Sequence, residues 1–555
     1  MHPTFRPLAA ALVATALATA ALTLPAGPAS SAVWPAPVAL TGLAGAVEGS
    51  TIAIAPDGTA TAALLTYDDA TDTTRVVTSS RPPRGAWSAP VTLSGPSVEW
   101  SEPAIAIGPD GTVTIAWRLA PTEDDFVVQA TTRTPGHGWS PVQSLSQQGT
   151  DEYVAGMTNP EVRLAAATDG SVTAIWPQWI ATPGSEHFEV QSASRSTAGT
   201  WTPPQTLDSR EWGDRTPELA AGPTGQVAAV WGISGSGGPD DGVFVRTRQG
   251  AGAWGPRQRL GNEYWGGRAD VAYAPDGTLG VVWASGFNTP TVTTLPPGGT
   301  WATPRVISHV QVNRLELELA AGPGPTFAAT WTSDESGSYD DEHIYAATGG
   351  PTGPWASQAV ATATSGSPVV AVKSDGTAVV MWLWRAPTTY DYVIQASVHP
   401  PGGAWEAPST VRDPAADNST YQVALASGPA GSLTAMWTES DAADVTKTYA
   451  VSQDPAAPDT GAIKGPKRIE PGKKATYAFT GPAGATYECR VDETRHQQTG
   501  ATGKKGKKPV PWKACTSPYK VKTKKLKLGK HTVYVRAVQF GLADPTPSAR
   551  KFKVK

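Results

Sequence analysis

A tight-turn hairpin recurs eight times along the 555-residue chain, each time on the same ruler. In its clearest copy, Ala104-Ile105-Ala106-Ile107 leads into Pro109-Asp110-Gly111-Thr112-Val113-Thr114-Ile115-Ala116-Trp117. Pro and Asp favour early turn positions, and Gly supplies a backbone conformation that other residues resist. The small and β-branched residues on either side read as buried strands. Seven residues after the turn residue stands a Trp: Asp110 to Trp117, Asp169 to Trp176, Thr224 to Trp231, Asp276 to Trp283, Gly324 to Trp331, Asp375 to Trp382 and Ala430 to Trp437. The first copy, Asp57 to Leu64, keeps the turn and lacks the Trp. Such a unit cannot bury its apolar face alone, so the chain must stack copies against one another.

A second marker runs in phase with the first. A Gly-rich turn, a Trp and a short apolar strand recur at Trp34, Trp87, Trp139, Trp201, Trp254, Trp301, Trp355 and Trp405. Between hairpin and marker lies a third strand, such as Phe126-Val127-Val128-Gln129-Ala130. Four short antiparallel strands every 40 to 50 or so residues is the pattern of a β-propeller blade. The expected fold is therefore all-β: a propeller over residues 33–454 with eight four-stranded blades, or seven if the Trp-poor first copy is no blade. The strand at Trp34–Leu40 precedes any hairpin, and the eighth hairpin has no such strand after it. The N-terminal strand is thus expected to complete the last blade.

The ends of the chain read differently. Residues 1–32 carry Arg6, an apolar run from Leu8 to Leu24 and a small-residue end at Ser30-Ser31-Ala32, the layout of a cleaved export signal. No second hydrophobic segment follows, so no membrane span is expected and the protein should be extracellular or cell-wall associated. Residues 455–460 read as a linker, and 461–555 as a separate basic domain. From Gly461 onward there are 23 Lys plus Arg and 5 Asp plus Glu, or +18; the remainder holds 44 − 23 = 21 basic and 48 − 5 = 43 acidic residues, or −22. Strand-like runs such as His531 to Val538 suggest a small β-sandwich. Cys489 and Cys515, the two cysteines, are expected to form a disulfide in an exported chain.

Two resemblances add to this. Tyr487-Glu488-Cys489-Arg490-Val491-Asp492, Trp512-Lys513-Ala514-Cys515-Thr516-Ser517-Pro518, Gly529 to Ala537 and Asp544-Pro545-Thr546-Pro547 resemble the Ig-like domains appended to secreted actinobacterial proteins. That resemblance implies a non-catalytic spacer or adhesive module. The repeats more loosely resemble the sialidase and Asp-box propeller group, in which a Gly-x-x-Trp type turn joins the third and fourth strands; the Gly and the Trp persist here, as in Gly199-Thr200-Trp201. The Ser and Asp of that motif are missing, and the group's arginine triad, Tyr and Glu match no positions, so only the blade geometry carries over.

Function is less legible. Of 21 Trp, 15 belong to the repeat, and Trp100, Trp179, Trp212, Trp265, Trp384 and Trp512 remain. The first five fall in connections that emerge on one face of a propeller, beside charged residues. This selects Glu99, Trp100, Trp179, Glu211, Trp212, Arg215, Tyr264, Trp265 and Arg268 as candidate ligand contacts. Aromatic rings stack on sugars while carboxylates and Arg bind hydroxyls; the alternative is that these residues cap loops. Acidic runs at Asp124-Asp125, Asp240-Asp241 and Asp340-Asp341-Glu342 could hold Ca²⁺, but they lack the spacing of a known calcium loop; solvated strand entries account for them better, and no cofactor is expected. Lys504, Lys505, Lys507, Lys508, Lys522, Lys524 and Lys525 are candidates for binding a cell-wall or other polyanion. There is no His-Glu-x-x-His, Gly-x-Ser-x-Gly or phosphate loop. The expected function is a monomeric, non-enzymatic binding or adhesion protein taking a glycan or another cell-surface ligand. The alternative is a sialidase-like secreted glycoside hydrolase drawing on Glu99, Glu102, Glu211, Asp214 or Glu263.

Overall fold

The structure, a computed structural model, describes residues 34–98, 101–122, 125–146, 149–150, 161–182, 185–210, 217–233, 241–261, 269–285, 289–310, 312, 317–334, 342–361, 365–385, 392–413, 419–441, 445–492, 494–498 and 505–555. Residues 1–32, read above as an export signal, lie outside them. Among the described residues, no helix is long and apolar enough to cross a membrane.

The hairpins form as their turns dictate. Gly111 adopts φ +80, the Asp110 carboxylate accepts the Thr112 amide at 2.9 Å, and the Thr112 hydroxyl donates to the same carboxylate at 2.8 Å. The same self-capped turn recurs at Asp276 and Thr278. Each hairpin opens a four-stranded antiparallel sheet in chain order, the first being Ala46–Ile54, Ala60–Asp68, Thr73–Arg81 and Val91–Thr92. The later sheets begin with inner strands Ala104–Ile107, Arg163–Ala166, Glu218–Ala221, Ala269–Tyr273, Leu317–Gly322, Ser365–Val372 and Ser419–Ser427. In the second sheet, both Gln143–Ser144 and Gly149–Thr150 pair with Asp125–Arg133, giving a fifth strand.

These inner strands touch their neighbours in a closed cycle, Ser419–Ser427 meeting Ala46–Ile54. The arrangement is that of a β-propeller. Closure uses the N-terminus as the phase of the repeats requires: Val38 pairs with Ala450 and Ala39 with Tyr449, so Val38–Ala39 supplies the outer strand of the last sheet.

The repeat Trp explain the seams. Trp176 packs with Ala116, Val128 and Leu145 of the preceding sheet, and Trp437 with Met381, Ile394 and Val411. Trp117, Trp231, Trp283, Trp331 and Trp382 occupy the corresponding seams and are essentially fully buried. At the seam that closes the cycle, Leu64 stands in the Trp position against Met436 and Ala450.

The C-terminal region is also β-structure. One sheet runs Arg468–Ile469, Ser548–Val554, Gly529–Gln539, Thr486–Val491, Lys513–Cys515, and a pair joins Lys474–Tyr477 to Tyr519–Lys522. Tyr477, Cys489, Val533, Val535 and Phe552 form their shared core, and Cys489 is disulfide-bonded to Cys515. Asp454, just before this region, takes two hydrogen bonds from Arg81 at 2.7 and 3.0 Å and one from the Arg84 amide at 3.0 Å. The chain therefore leaves the propeller clamped to its first sheet.

Candidate functional site

The inner strands converge on a cavity of about 360 Å³. Its lining follows one register of the repeat: the residue six positions before each turn residue. Four consecutive sheets place Arg163, Glu218, Asp270 and Glu318 there, and the other four place Val369, Ala424, Thr51 and Ala104. Glu102 and Glu161, two residues earlier in their copies, also line it. One half of the wall is therefore charged and the other small or apolar. Two residues further along the same strand face, every copy carries Ala, from Ala53 through Ala426. Ala220, Ala320 and Ala426 pack against the core of the following sheet, so the small side chain lets adjacent inner strands approach.

The charged half obeys edge chemistry. An innermost strand exposes backbone N–H groups toward the channel, and an unpaired edge is a liability. The Asp270 carboxylate accepts the Leu319 amide of the next sheet at 2.6 Å, and its own sheet supplies a second bond from the Val271 amide at 2.7 Å. Glu318 repeats the relation one sheet on, accepting the Val370 amide at 3.2 Å. Arg163 turns the same way, placing its Nε 2.8 Å and a terminal nitrogen 3.1 Å from the two carboxylate oxygens of Glu218, and it also pairs with Glu161. Glu102 lies against Gly49 of the first sheet, where a Cβ would come within 2.8 Å of its Cγ.

Proximity sets the ionisation. Burial, and then the charges of Glu218 and Glu318, push the Asp270 carboxyl up to about 8, outweighing its two backbone hydrogen bonds. Asp270 thus carries a proton at neutral pH, between two carboxylates. Arg163 stays cationic because the Glu218 and Glu161 carboxylates outweigh its burial. With one guanidinium among five acidic side chains, the lining keeps a negative excess even with Asp270 neutral. It offers hydroxyl-accepting oxygens on one side and apolar surface on the other. Among the described residues, no three His, Cys, Asp or Glu side chains converge to hold a metal ion.

A second cavity of about 340 Å³ lies between the fourth and fifth sheets, beside Gln226, Arg248 and Tyr273. Arg248 there bonds the hydroxyls of Thr173 and Ser194 and lies 4.4 Å over the Trp254 ring, so it braces two sheets.

Of the residues expected to bind ligand, Trp179 needs correction. It is 5% exposed and packs with Phe188, Leu207 and Trp231 in the seam between the third and fourth sheets, so it offers no ring face to a ligand. The reason is alternation: it stands three residues after Trp176 on an extended strand, Val172–Thr182, that outruns its turn. Trp384 is likewise partly buried against the sixth and seventh sheets. Glu99, Trp100, Glu211, Trp212, Arg215, Tyr264, Trp265 and Arg268 lie outside the described residues, as do Asp124, Asp240, Asp340 and Asp341. In sequence, however, Trp100 precedes Glu102 by two residues, Trp212 precedes Glu218 by six, and Trp265 precedes Asp270 by five. Lys522, Lys524 and Lys525 are exposed. Lys505, Lys507 and Lys508 fall in a strand, Lys505–Pro509, paired with Thr494–Gln498, and Lys504 lies outside the described residues.

Charged residues inside otherwise apolar inner strands were the signal for the channel acids. The repeat register exposes it once residues are aligned on the turn: Arg, Glu, Asp and Glu stand where other copies have Thr, Ala or Val.

No family model matches the chain. No curated protein matches it either. Among solved structures it is similar to a lectin from Burkholderia pseudomallei, at 13% identity over 66% of this chain and 99% of that one, TM-score 0.42. It is also similar to an α-L-arabinofuranosidase from Fusarium graminearum (12% identity, 57% and 98% covered, TM-score 0.37) and to a leech intramolecular trans-sialidase (10%, 71% and 83%, TM-score 0.33).

Proposed function

We propose that this chain is a secreted glycan-binding protein: an eight-bladed propeller that takes a sugar in its channel between the charged side of the wall and the apolar one, with a basic Ig-like domain that holds a polyanion. The observation that carries the first part is the divided lining of the channel. A sugar presents hydroxyls on its edges and C–H groups on its faces, which suits Glu102, Glu161, Glu218 and Glu318 opposite Val369, Ala424 and Leu425. In sequence, Trp100, Trp212 and Trp265 precede Glu102, Glu218 and Asp270 by two, six and five residues, which supports their candidacy as further contacts for the same ligand. The negative excess selects a neutral or amino sugar and repels a carboxylated one, against the sialidase-like alternative.

One observation favours hydrolysis as a second reading. The Asp270 carboxyl, pushed up to about 8 beside Glu218 and Glu318, is the kind of raised acid that glycosidic acid–base chemistry uses. Both Asp270 oxygens already hold backbone amides, which supports a structural use of that proton instead.

Presenting the mature protein to an array of neutral, amino and sialylated glycans tests the proposal. Neutral or amino-sugar hits should weaken about tenfold or more in Glu318→Gln and in Trp265→Ala. Hits restricted to sialylated glycans, or indifferent to both substitutions, would overturn the channel site. Release of product from a bound glycan, abolished by Asp270→Asn, would establish the hydrolase.

A further inference from the structure

We propose that the outer face of the larger C-terminal sheet is the polyanion site, and that Arg468, Lys530, Lys551 and Lys553 there bind a linear phosphodiester polymer. This rests on the polyanion reading above and moves its contacts away from the lysines first suspected.

The face follows from strand alternation. Val533, Val535, Phe552, Val554 and Cys489 point to the core, so their neighbours Lys530, Thr532, Tyr534, Arg536, Lys551, Lys553, Glu488 and Arg490 share the opposite face. The register then brings like charges together. Lys553 lies directly opposite Lys530 on one side and opposite Arg468 on the other. Three cations thus form a row across three strands, with Lys551 two residues along from Lys553. All four are exposed, and none forms an ion pair among the described residues. Like charges directly opposite one another destabilise a sheet, and no acidic partner among the described residues offsets them here.

The rest of the face is already engaged. Arg490 and Arg536 lie 4.3 and 4.5 Å from the Trp512 ring, and Arg536 also pairs with Glu488 at 2.7 Å. That stack ends the site on one side and leaves the open cations as a block at the other.

The geometry points to the ligand. The face is a flat sheet surface, so recognition there is by charge spacing. Neighbouring strands set the cations roughly 5 Å apart across the sheet, and residues 551 and 553 about 7 Å apart along it. One point charge per position at such intervals suits a chain with one anion per repeat. The smaller sheet repeats the motif once on its own outer face, with Lys474 opposite Lys522.

Binding of the mature protein to poly(glycerol phosphate), to single-stranded oligothymidylate and to heparin would be measured across a salt series. Wild type should bind both phosphodiester chains, with affinity falling steeply as salt rises. The triple variant Lys530→Gln, Lys551→Gln, Lys553→Gln should lose at least tenfold in affinity and about two to three units of the log–log salt slope, with an unchanged melting profile. The triple variant Lys505→Gln, Lys507→Gln, Lys508→Gln should bind as wild type. Loss in the second variant alone would overturn this site while keeping the polyanion reading. Failure of wild type to bind any of the three polymers would overturn the polyanion reading itself. Binding to heparin alone, or salt-sensitive self-association that the first triple variant abolishes in place of polymer binding, would overturn the choice of ligand.

Discussion

Arg163 of the third sheet and Glu218 of the fourth form a bidentate ion pair in the channel wall, with Nε and a terminal nitrogen 2.8 and 3.1 Å from the carboxylate. The Arg163 side chain is 26% exposed and that of Glu218 15%, so the pair is only partly screened by water. Removing Arg163 strands Glu218 beside the further negative charge of Glu161, which Arg163 also pairs. Arg163→Met is therefore expected to destabilise the ring by about 1 to 3 kcal/mol, mostly as the cost of the uncompensated carboxylate. The double variant Arg163→Met, Glu218→Gln should recover much of the loss. Thermal melts of both variants check this, and a double variant less stable than the single would refute it.

Asp270 predicts a pH dependence with a definite sign. Its folded-state pKa is raised to about 8, above that of an ordinary carboxyl, because of burial and the Glu218 and Glu318 charges. A raised folded value means its contribution is complete below the unfolded pKa, near 4, and is lost as pH climbs through about 8. The ring of wild type should lose stability from about pH 5 to pH 8, and Asp270→Asn should show a flatter profile over that interval. The comparison is of slopes, since Asn also changes the bond to the Leu319 amide. Parallel profiles would show that Asp270 ionises normally.

The repeat made the fold legible because one physical demand, a tight hairpin turn followed by a buried seam residue, acts in each copy, with Trp in seven and Leu64 in the first. The N-terminal strand could be placed from phase alone. The channel acids were hidden for the complementary reason. They occupy the inner-strand register that lines the channel, where Arg163, Glu218, Asp270 and Glu318 stand at positions that Thr51, Ala104, Val369 and Ala424 hold in the other copies, and no local motif marks them. Trp179 misled because a Trp outside the repeat count was read as lying in a connection, when it still stands within the strand Val172–Thr182 on the face opposite Trp176, in the next seam.

Closure of the ring by its N-terminus leads to a truncation experiment. Val38–Ala39 pairs with the strand Thr446–Gln453, the Leu40 amide donates to the Thr448 carbonyl at 2.8 Å, and Leu40 itself is 7% exposed in the closing seam. A chain beginning at Thr41 loses this strand and leaves Tyr449 on an open edge. It should melt earlier than a chain beginning at Val33 and aggregate at lower concentration, as read by scanning calorimetry and light scattering. Equal melting and equal solubility would mean the strand is dispensable.

The seams offer the last test, because one of them differs. Trp331 is fully buried between the fifth and sixth sheets, whereas Leu64 fills the equivalent position where the last sheet meets the first. If the Trp act as volume that each seam is shaped to receive, the two positions will not tolerate exchange. Trp331→Leu should leave a cavity and cost about 2 to 4 kcal/mol. Leu64→Trp should overpack a seam already closed by Val47, Ile52, Met436 and Ala450, costing about 1 to 3 kcal/mol. Both variants should therefore lower the melting temperature. A Leu64→Trp protein more stable than wild type would mean instead that the closing seam is underfilled, with Leu64 marking the weakest joint in the ring.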